Sequence, residues 1–297
     1  MIETRKLCKS FEGFQALKDL DVNVPKGAVY GLVGPNGAGK TTLIRHLAGI
    51  YIPDSGEVLI DGRPVFENVD IKSRIAYIPD DIFYYTQATV ADMKGFYKGI
   101  YPAFDEERFD KLGEVFDIDP KRPVRKLSKG MQKQAAFRIA VSCRPDVILL
   151  DEPVDGLDPV MRRNVWSILM ADVAEFGTTV LVSSHNLREL EDVCDHVGIM
   201  DQGSMLIERS LDELQNNIVK LQLVLQDGTE LPEGIEILGR SSTGKLEQLI
   251  VRGKAEEVEE RIAQIAPVYC ESIPLNLEEI FIYELGGTGY EVRNIIV

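Results

Sequence analysis

The first eighty residues alternate short aliphatic and β-branched runs with turn signals. Runs at 2–7, 20–24, 29–33, 58–60 and 75–78 predict strands. Pro25-Lys26-Gly27, Asp54-Ser55-Gly56 and Asp61-Gly62-Arg63-Pro64 supply the breaks between them. From 89 to 116 the apolar spacing changes to three-to-four, with Met93, Phe96, Tyr97 and Ile100, then Phe109, Leu112, Val115 and Phe116. That period predicts the packed face of a small helical subdomain rather than a ligand box. Beyond Leu127 the alternation returns: helix 131–143, apolar strand 147–150, helix 160–176, strand 180–183. Apolar strand runs separated by helical patterns predict a largely parallel sheet covered on both faces.

The pattern shifts again near 211–218. Strand-like runs at 219–225, 235–238 and 248–251, the turn Asp227-Gly228, a charged helix at 255–265, one more β-type run and a short helix at 277–285 predict a small α+β appendage. It carries no motif to which chemistry attaches, and the structural reading leads there.

Composition narrows the classes. At 297 residues the chain is long enough to bury a substantial core without disulfides or metals. No apolar run approaches the roughly 18 residues needed to span a bilayer, and the start does not read as a secretion signal. Lys plus Arg is 33 against 48 Asp plus Glu, a net charge of -15. A surface this acidic repels nucleic acid and anionic lipid, so no nucleic-acid partner is expected. Cys8, Cys143, Cys194 and Cys270 are scattered, and His46, His185 and His196 lack metal-ligand spacing. Free thiols in a reducing compartment are the expectation.

The chemistry begins at Gly34-Pro35-Asn36-Gly37-Ala38-Gly39-Lys40-Thr41, a G-x-x-x-x-G-K-[ST] run between a strand and a helical pattern. Gly34, Gly37 and Gly39 let successive N–H groups, Asn36 included, curl around phosphate oxygens, and the helix N-terminus adds partial positive charge. Lys40 is placed to reach the β- and γ-phosphates, the Thr41 hydroxyl to ligate Mg²⁺, and Thr42 to donate to the α-phosphate. A similar run, Gly239 to Leu246, ends in a leucine that cannot bind metal and has no helix after it. It reads as a hairpin loop.

The apolar run 147–150 ends in Asp151-Glu152, where an α/β sheet presents ligand chemistry. Asp151 is placed to hold Mg²⁺, usually through water, and Glu152 to polarise an attacking water. Before it, Leu127-Ser128-Lys129-Gly130 opens a helix. Ser128 serves either as a plain N-cap or as part of a second phosphate-facing helix N-terminus, and the residues alone leave both open.

The order of phosphate loop, Leu-Ser-x-Gly, acidic strand, Asp155-Gly156-Leu157-Asp158 and His185 carries a resemblance. Residues 1 to about 210 resemble the ATP-binding subunit of an ABC transporter. Within that family they are most similar to bacterial exporter ATPases encoded apart from their membrane subunits, of the bacitracin-resistance and Ytr kind. The resemblance implies an α/β P-loop NTPase fold with an antiparallel β subdomain and a helical subdomain at about 84–145. The ATPase domain would cover 1–215 and the α+β extension 216–297.

The same resemblance implies roles. Phe11 matches the aromatic that stacks on adenine, for which any flat ring suffices. Ser128 and Gly130 match the signature loop that meets the γ-phosphate of ATP held by a facing subunit, although Lys129 and Met131 depart from its usual Leu-Ser-Gly-Gly-Gln. Asp158 matches the loop crossing the dimer seam, and His185 the switch histidine that holds the γ-phosphate and orients water with Glu152. Asp80 stands where the family has Gln; shorter by a methylene and charged, it either ligates Mg²⁺ through water or fails to reach it. The implied cofactors are ATP and Mg²⁺. The implied partners are a second ATPase subunit, identical or paralogous, and integral membrane permease subunits. Tyr84 and Tyr85 mark either the docking surface for those permeases or the subdomain core. The implied place is cytoplasmic, peripheral to the inner face of the cell membrane, with export as the direction.

Two other readings stay open at this point. One is a soluble ATPase of the same fold serving ribosomes or DNA, against which the single cassette, the lack of sustained heptads and the negative charge count. The other is an ATP-gated regulator that hardly hydrolyses, a possibility that Asp80 leaves standing.

Overall fold

The computed structural model describes residues 1–82, 85, 87–226, 229, 231, 232 and 234–286. Tyr84 and the Asp227-Gly228 turn lie outside the described residues. The chain divides into two compact units: Met1–His185 with Val193–Glu208, and Asn186–Asp192 with Arg209–Val297.

In the first unit, β1 (Ile2–Phe11) and β2 (Phe14–Val24) form an antiparallel hairpin in which Phe11 pairs with Phe14. Leu20, Val22 and Val24 alternate inward along β2 while their neighbours stay exposed, the period of a sheet with one wet face. The strand β3 (Val29–Val33) belongs to another sheet, and β4 (Ser55–Ile60) and β5 (Arg63–Pro64) complete the first in the order β2-β1-β4-β5.

The second sheet positions the chemistry. It contains β6 (Ile75–Ile78), β7 (Val147–Asp151), β8 (Thr179–Ser184), β9 (His196–Asp201) and β10 (Ser204–Ser210), in the order β10-β9-β3-β8-β7-β6. Every residue of β3, β7 and β8 is buried, which is why their sequences lack alternation. The pairs β3·β8, β8·β7 and β7·β6 are parallel, with Val33 opposite Ser184, Asp151 opposite Ser183 and Ile78 opposite Leu150. This register brings the loops after Val33, Ile78, Asp151 and Ser184 out along one edge. The helix α1 (Lys40–Leu47) packs Leu43, Ile44 and Leu47 into a core shared with Leu17, Tyr30, Leu149 and Leu181. Each such fully buried aliphatic side chain contributes roughly 1.5–3 kcal/mol.

A four-residue helix, α2 (Val69–Lys72), precedes β6. The 89–116 stretch forms two helices, α3 (Val90–Ile100) and α4 (Glu106–Phe116). Thr89 and Asp92 close a capping box on α3, and Asp105 caps α4. Phe109, Leu112 and Phe116 are buried as their spacing predicts, while Val115 of the same stripe is exposed, and Phe109 lies beneath Arg138 of α5 (Lys129–Ser142) with the guanidinium 3.9 Å from the ring centre. On α3 only Val90 and Met93 are buried, whereas Phe96 and Ile100 are 46% and 52% exposed. The apolar stripe of α3 is therefore only partly covered by this chain. The long α6 (Pro159–Phe176) links β7 to β8.

The second unit contains α7 (Arg188–Glu191), α8 (Leu211–Asn216), β11 (Ile218–Val224), β12 (Glu236–Thr243), β13 (Leu246–Arg252), α9 (Ala255–Ala263), β14 (Tyr269–Ile273) and α10 (Leu277–Gly286). Its antiparallel sheet runs β12-β13-β11-β14, and Leu221, Leu223, Leu249 and Val251 pack against Val258 and Ile262 of α9. The Gly239 to Leu246 run is the β12–β13 hairpin, with its turn at Gly244-Lys245.

Candidate active site

Two glycines decide the phosphate loop's path. A Cβ on Gly34 would lie 2.2 Å from the Met200 carbonyl oxygen, and Gly39 takes φ 106°, a left-handed conformation open to glycine. The chain therefore turns tightly out of β3 and enters α1 with its first N–H groups free of helical partners. Asn36, Gly37, Gly39, Lys40, Thr41 and Thr42 line a cavity of about 350 Å³ together with Phe11, Phe14, Asp80 and Glu152. The hairpin carries Phe11 to one side of this cavity, where its ring meets Tyr51 edge-on at 5.4 Å. Phe14 and Tyr51 escaped the motif reading because aromatic residues carry no signature of their own. The Phe11↔Phe14 register is what marks the first.

The Lys40 ammonium is buried and donates to the Gly34 carbonyl at 2.6 Å. It lies 3.8 Å from Glu152, and burial lowers its pKa. The Thr41 hydroxyl donates to Asp151 Oδ1 at 3.1 Å, and Ser183 donates to the same oxygen at 2.7 Å. A hydroxyl beside a buried carboxylate is a hard-oxygen donor pair, the chemistry that suits Mg²⁺.

Glu152 follows with φ 49°, an uncommon conformation for a residue bearing a Cβ. Its N–H donates to Ser183 Oγ at 3.2 Å, and its carbonyl accepts from Lys133 Nζ at 2.6 Å. Its carboxylate lies 3.0 Å from Nδ1 of His185, which must carry the proton if the carboxylate is ionised. Burial pushes the Glu152 carboxyl above its ordinary range, opposed by the His185 hydrogen bond and the charge of Lys40. Asp155 joins Glu152 and His185 in a tight cluster. Asp155 belongs to the Asp155-Gly156-Leu157-Asp158 segment that carries the resemblance, but the resemblance assigns it no role.

Asp80 does not stand free. Its Oδ1 accepts from Lys133 Nζ at 3.0 Å, so the loop after β6 is tied to α5. Ser128 caps α5, accepting from the Met131 N–H at 3.2 Å, and Asp158 caps α6 through Val160 and Met161. Lys129, Gln132 and Lys133 line a second cavity with Asp80, Asp81, Asp155 and Gly156. The structure thus gathers Phe11, the phosphate loop, Asp80, Asp151, Glu152 and His185 around one edge of the sheet. Of the Ser128–Gly130 turn, only Lys129 lines the neighbouring cavity.

Residues 17–155 match a family model described as ABC transporter. Over 290 residues the chain is 33% identical to the ABC transporter ATP-binding protein YtrB of Bacillus subtilis (strain 168), covering 97% of this chain and 99% of that one. The chain belongs to the ATP-binding subunits of ABC transporters. Another relative, the bacitracin transport ATP-binding protein BcrA of Bacillus licheniformis, is 33% identical over 231 residues, 76% of each chain. Among solved structures, an ATP-binding subunit of an ABC transporter superposes with a TM-score of 0.68 at 27% identity, covering 72% of this chain and 92% of that one. This ABC subunit is accordingly an ATP-binding ATPase cassette, and the family resemblance read from its motifs holds, as does the mixed α/β P-loop fold.

Proposed function

We propose that this ABC subunit hydrolyses ATP at the edge of the parallel sheet and passes the resulting motion to separate permease subunits. The observation that carries the site assignment is a pair of hydrogen bonds at the end of β7, Thr41 to Asp151 and His185 to Glu152, joined through the Ser183 hydroxyl. In this reading the loop amides, Lys40 and Thr42 hold the phosphates, and Phe11 stacks on the base. Thr41 and Asp151 would hold Mg²⁺, which would supply charge neutralisation at the triphosphate, while Asp80, held by Lys133, stays out of the ion's shell. Glu152 accepts a proton from the attacking water, and burial, by raising its pKa, makes it a stronger base for that transfer. His185 keeps the carboxylate aimed and donates toward the γ-phosphate.

The chain works as one of a pair, arranged head to tail around two ATP molecules. Supporting this, Ser128, Lys129 and Gly130 stand at the N-terminus of α5 and none of them lines the phosphate-loop cavity, so in this reading the turn serves a nucleotide held by a facing subunit. Asp158, at the start of α6, stands on the segment that would cross the seam.

A groove of about 410 Å³ lined by Ile50, Pro79, Ile82, Tyr97 and Tyr101 supports permease docking. It begins at the loop that carries Asp80, so a permease segment seated there would feel the nucleotide site. Tyr85 and Phe96, exposed and in edge contact, extend the apolar surface. On this reading the protein sits on the cytoplasmic face of the membrane, and likeness to the Nod factor export ATP-binding protein I of Cupriavidus pinatubonensis (strain JMP 134 / LMG 1197), 30% identical over 308 residues, favours export.

The deciding experiment is the Glu152→Gln variant followed by size-exclusion chromatography with ATP. An ATP-dependent dimer that does not turn over supports the assignment, and a monomer with wild-type turnover refutes it.

A further inference from the structure

Lys133 is a buried charge that no assigned role uses. It lies one turn into α5, on the same helix as Ser128 and Gly130, with a side chain only 7% exposed. Burying an ammonium is costly unless its hydrogen bonds are satisfied. Here it finds two acceptors: the Glu152 carbonyl at 2.6 Å and Asp80 Oδ1 at 3.0 Å. Both acceptors belong to segments at the nucleotide edge, one on the loop after β7 and the other on the loop after β6.

Glu152 needs such support. Its φ of 49° is a conformation that costs of order 1–3 kcal/mol for a non-glycine residue and persists only where the surroundings over-determine it. The Ser183 hydroxyl holds the N–H side of that residue. Lys133 holds the carbonyl side. The direction in which the carboxylate leaves the backbone follows from this pair of contacts.

We propose that Lys133 is a positioning residue for hydrolysis: a single ammonium, carried on the signature helix, fixes the strained main chain of Glu152 and the Asp80 loop together. A shift of the α5 N-terminus on meeting a facing subunit's nucleotide is thereby delivered to the carboxylate that activates water, and to the loop that borders the permease groove. Asp80 is held by this ammonium in the place where the family has a neutral Gln, so the acidic side chain and the lysine act as one unit. The inference rests on Glu152 being the catalytic base.

The test uses the full-length protein with Lys133→Met, Lys133→Arg, Asp80→Asn and Glu152→Gln. ATPase kcat and KM, equilibrium ATP binding and Tm are measured for each. Misplacing a reacting group by about 1 Å costs about 10²-fold in rate. Lys133→Met should therefore lower kcat by about that factor while ATP affinity stays within twofold, and Lys133→Arg should recover part of the loss. In the double variant with Asp80→Asn, the losses should not multiply. Wild-type kcat in Lys133→Met, or a loss of ATP affinity matching the loss of kcat, overturns the proposal. Should Lys133→Met fail to fold, the half-exposed Asp80 decides the point. A fall in kcat for Asp80→Asn that added Mg²⁺ does not restore supports the shared anchor, whereas wild-type kcat or full recovery with Mg²⁺ overturns it. Wild-type turnover in Glu152→Gln removes the base assignment itself. A dead Glu152→Gln beside a fully active Lys133→Met sinks the Lys133 role alone.

Discussion

The Thr41 hydroxyl donates to the Asp151 carboxylate at 3.1 Å, joining segments 110 residues apart. One stands at the start of α1 and the other at the end of β7, so the contact exists only because β3, β8 and β7 lie side by side in parallel register.

A divalent ion held between these two groups is expected to depend on both. Thr41→Ala should raise the Mg²⁺ concentration for half-maximal ATPase by tenfold or so, about 1.4 kcal/mol at the ion. A magnesium titration of the variant checks this, and an unchanged midpoint would show that Thr41 does not ligate.

Replacing Lys40 by Ala removes a buried ammonium from the phosphate cradle. A charge-assisted hydrogen bond is worth about 1.5–3 kcal/mol, so ATP binding should weaken about 10–100-fold by titration calorimetry. Normal affinity would contradict the cradle.

Loss of the general base in Glu152→Gln should cut turnover by about 10²–10⁴-fold with ATP binding retained. In the wild type the base must be ionised, so activity should fall as pH drops through a Glu152 value lying above the ordinary 4.5. An acid limb at or below the ordinary value would mean that another group controls the rate.

The same raised carboxyl predicts a stability effect. Folding favours its protonated form, so the penalty is absent below 4.5 and grows as pH rises to the elevated value. Glu152→Gln, neutral at every pH, should melt at a higher temperature than wild type at pH 7, and the difference should close toward pH 4. Thermal scans across that range check the direction.

Ile50 lines the groove beside Pro79 and is 53% exposed. Ile50→Glu should leave ATPase activity of the isolated protein near wild type while reducing co-purification with the membrane subunits. Undiminished co-purification would place docking elsewhere.

The phosphate loop and the acidic strand end were legible in the sequence, because each consists of few residue types that the backbone geometry demands, whereas His185 stood out only through the family resemblance. The buried strands β3 and β7 were legible as unbroken apolar runs. The β10 strand and the eleven-residue length of β2 were not, since their polar positions resemble loops until neighbouring strands pair with them, and β9 is only four buried residues, Val197 to Met200, between polar ends. The helical period of α3 was read correctly, yet periodicity reports an apolar stripe without saying what covers it. Phe96 and Ile100 stayed exposed for that reason.

The sequence by itself determined that a glycine-rich turn meets a lysine and a threonine, and that two carboxylates end a buried strand, because local backbone sterics and hydrophobic patterning act over a few residues. Only the tertiary structure decided that Lys133 faces Asp80 and the Glu152 carbonyl, since those groups are 53 and 19 residues away from it. No local pattern encodes which carbonyl a buried ammonium will find; strand register and the packing of α5 against β6 choose it.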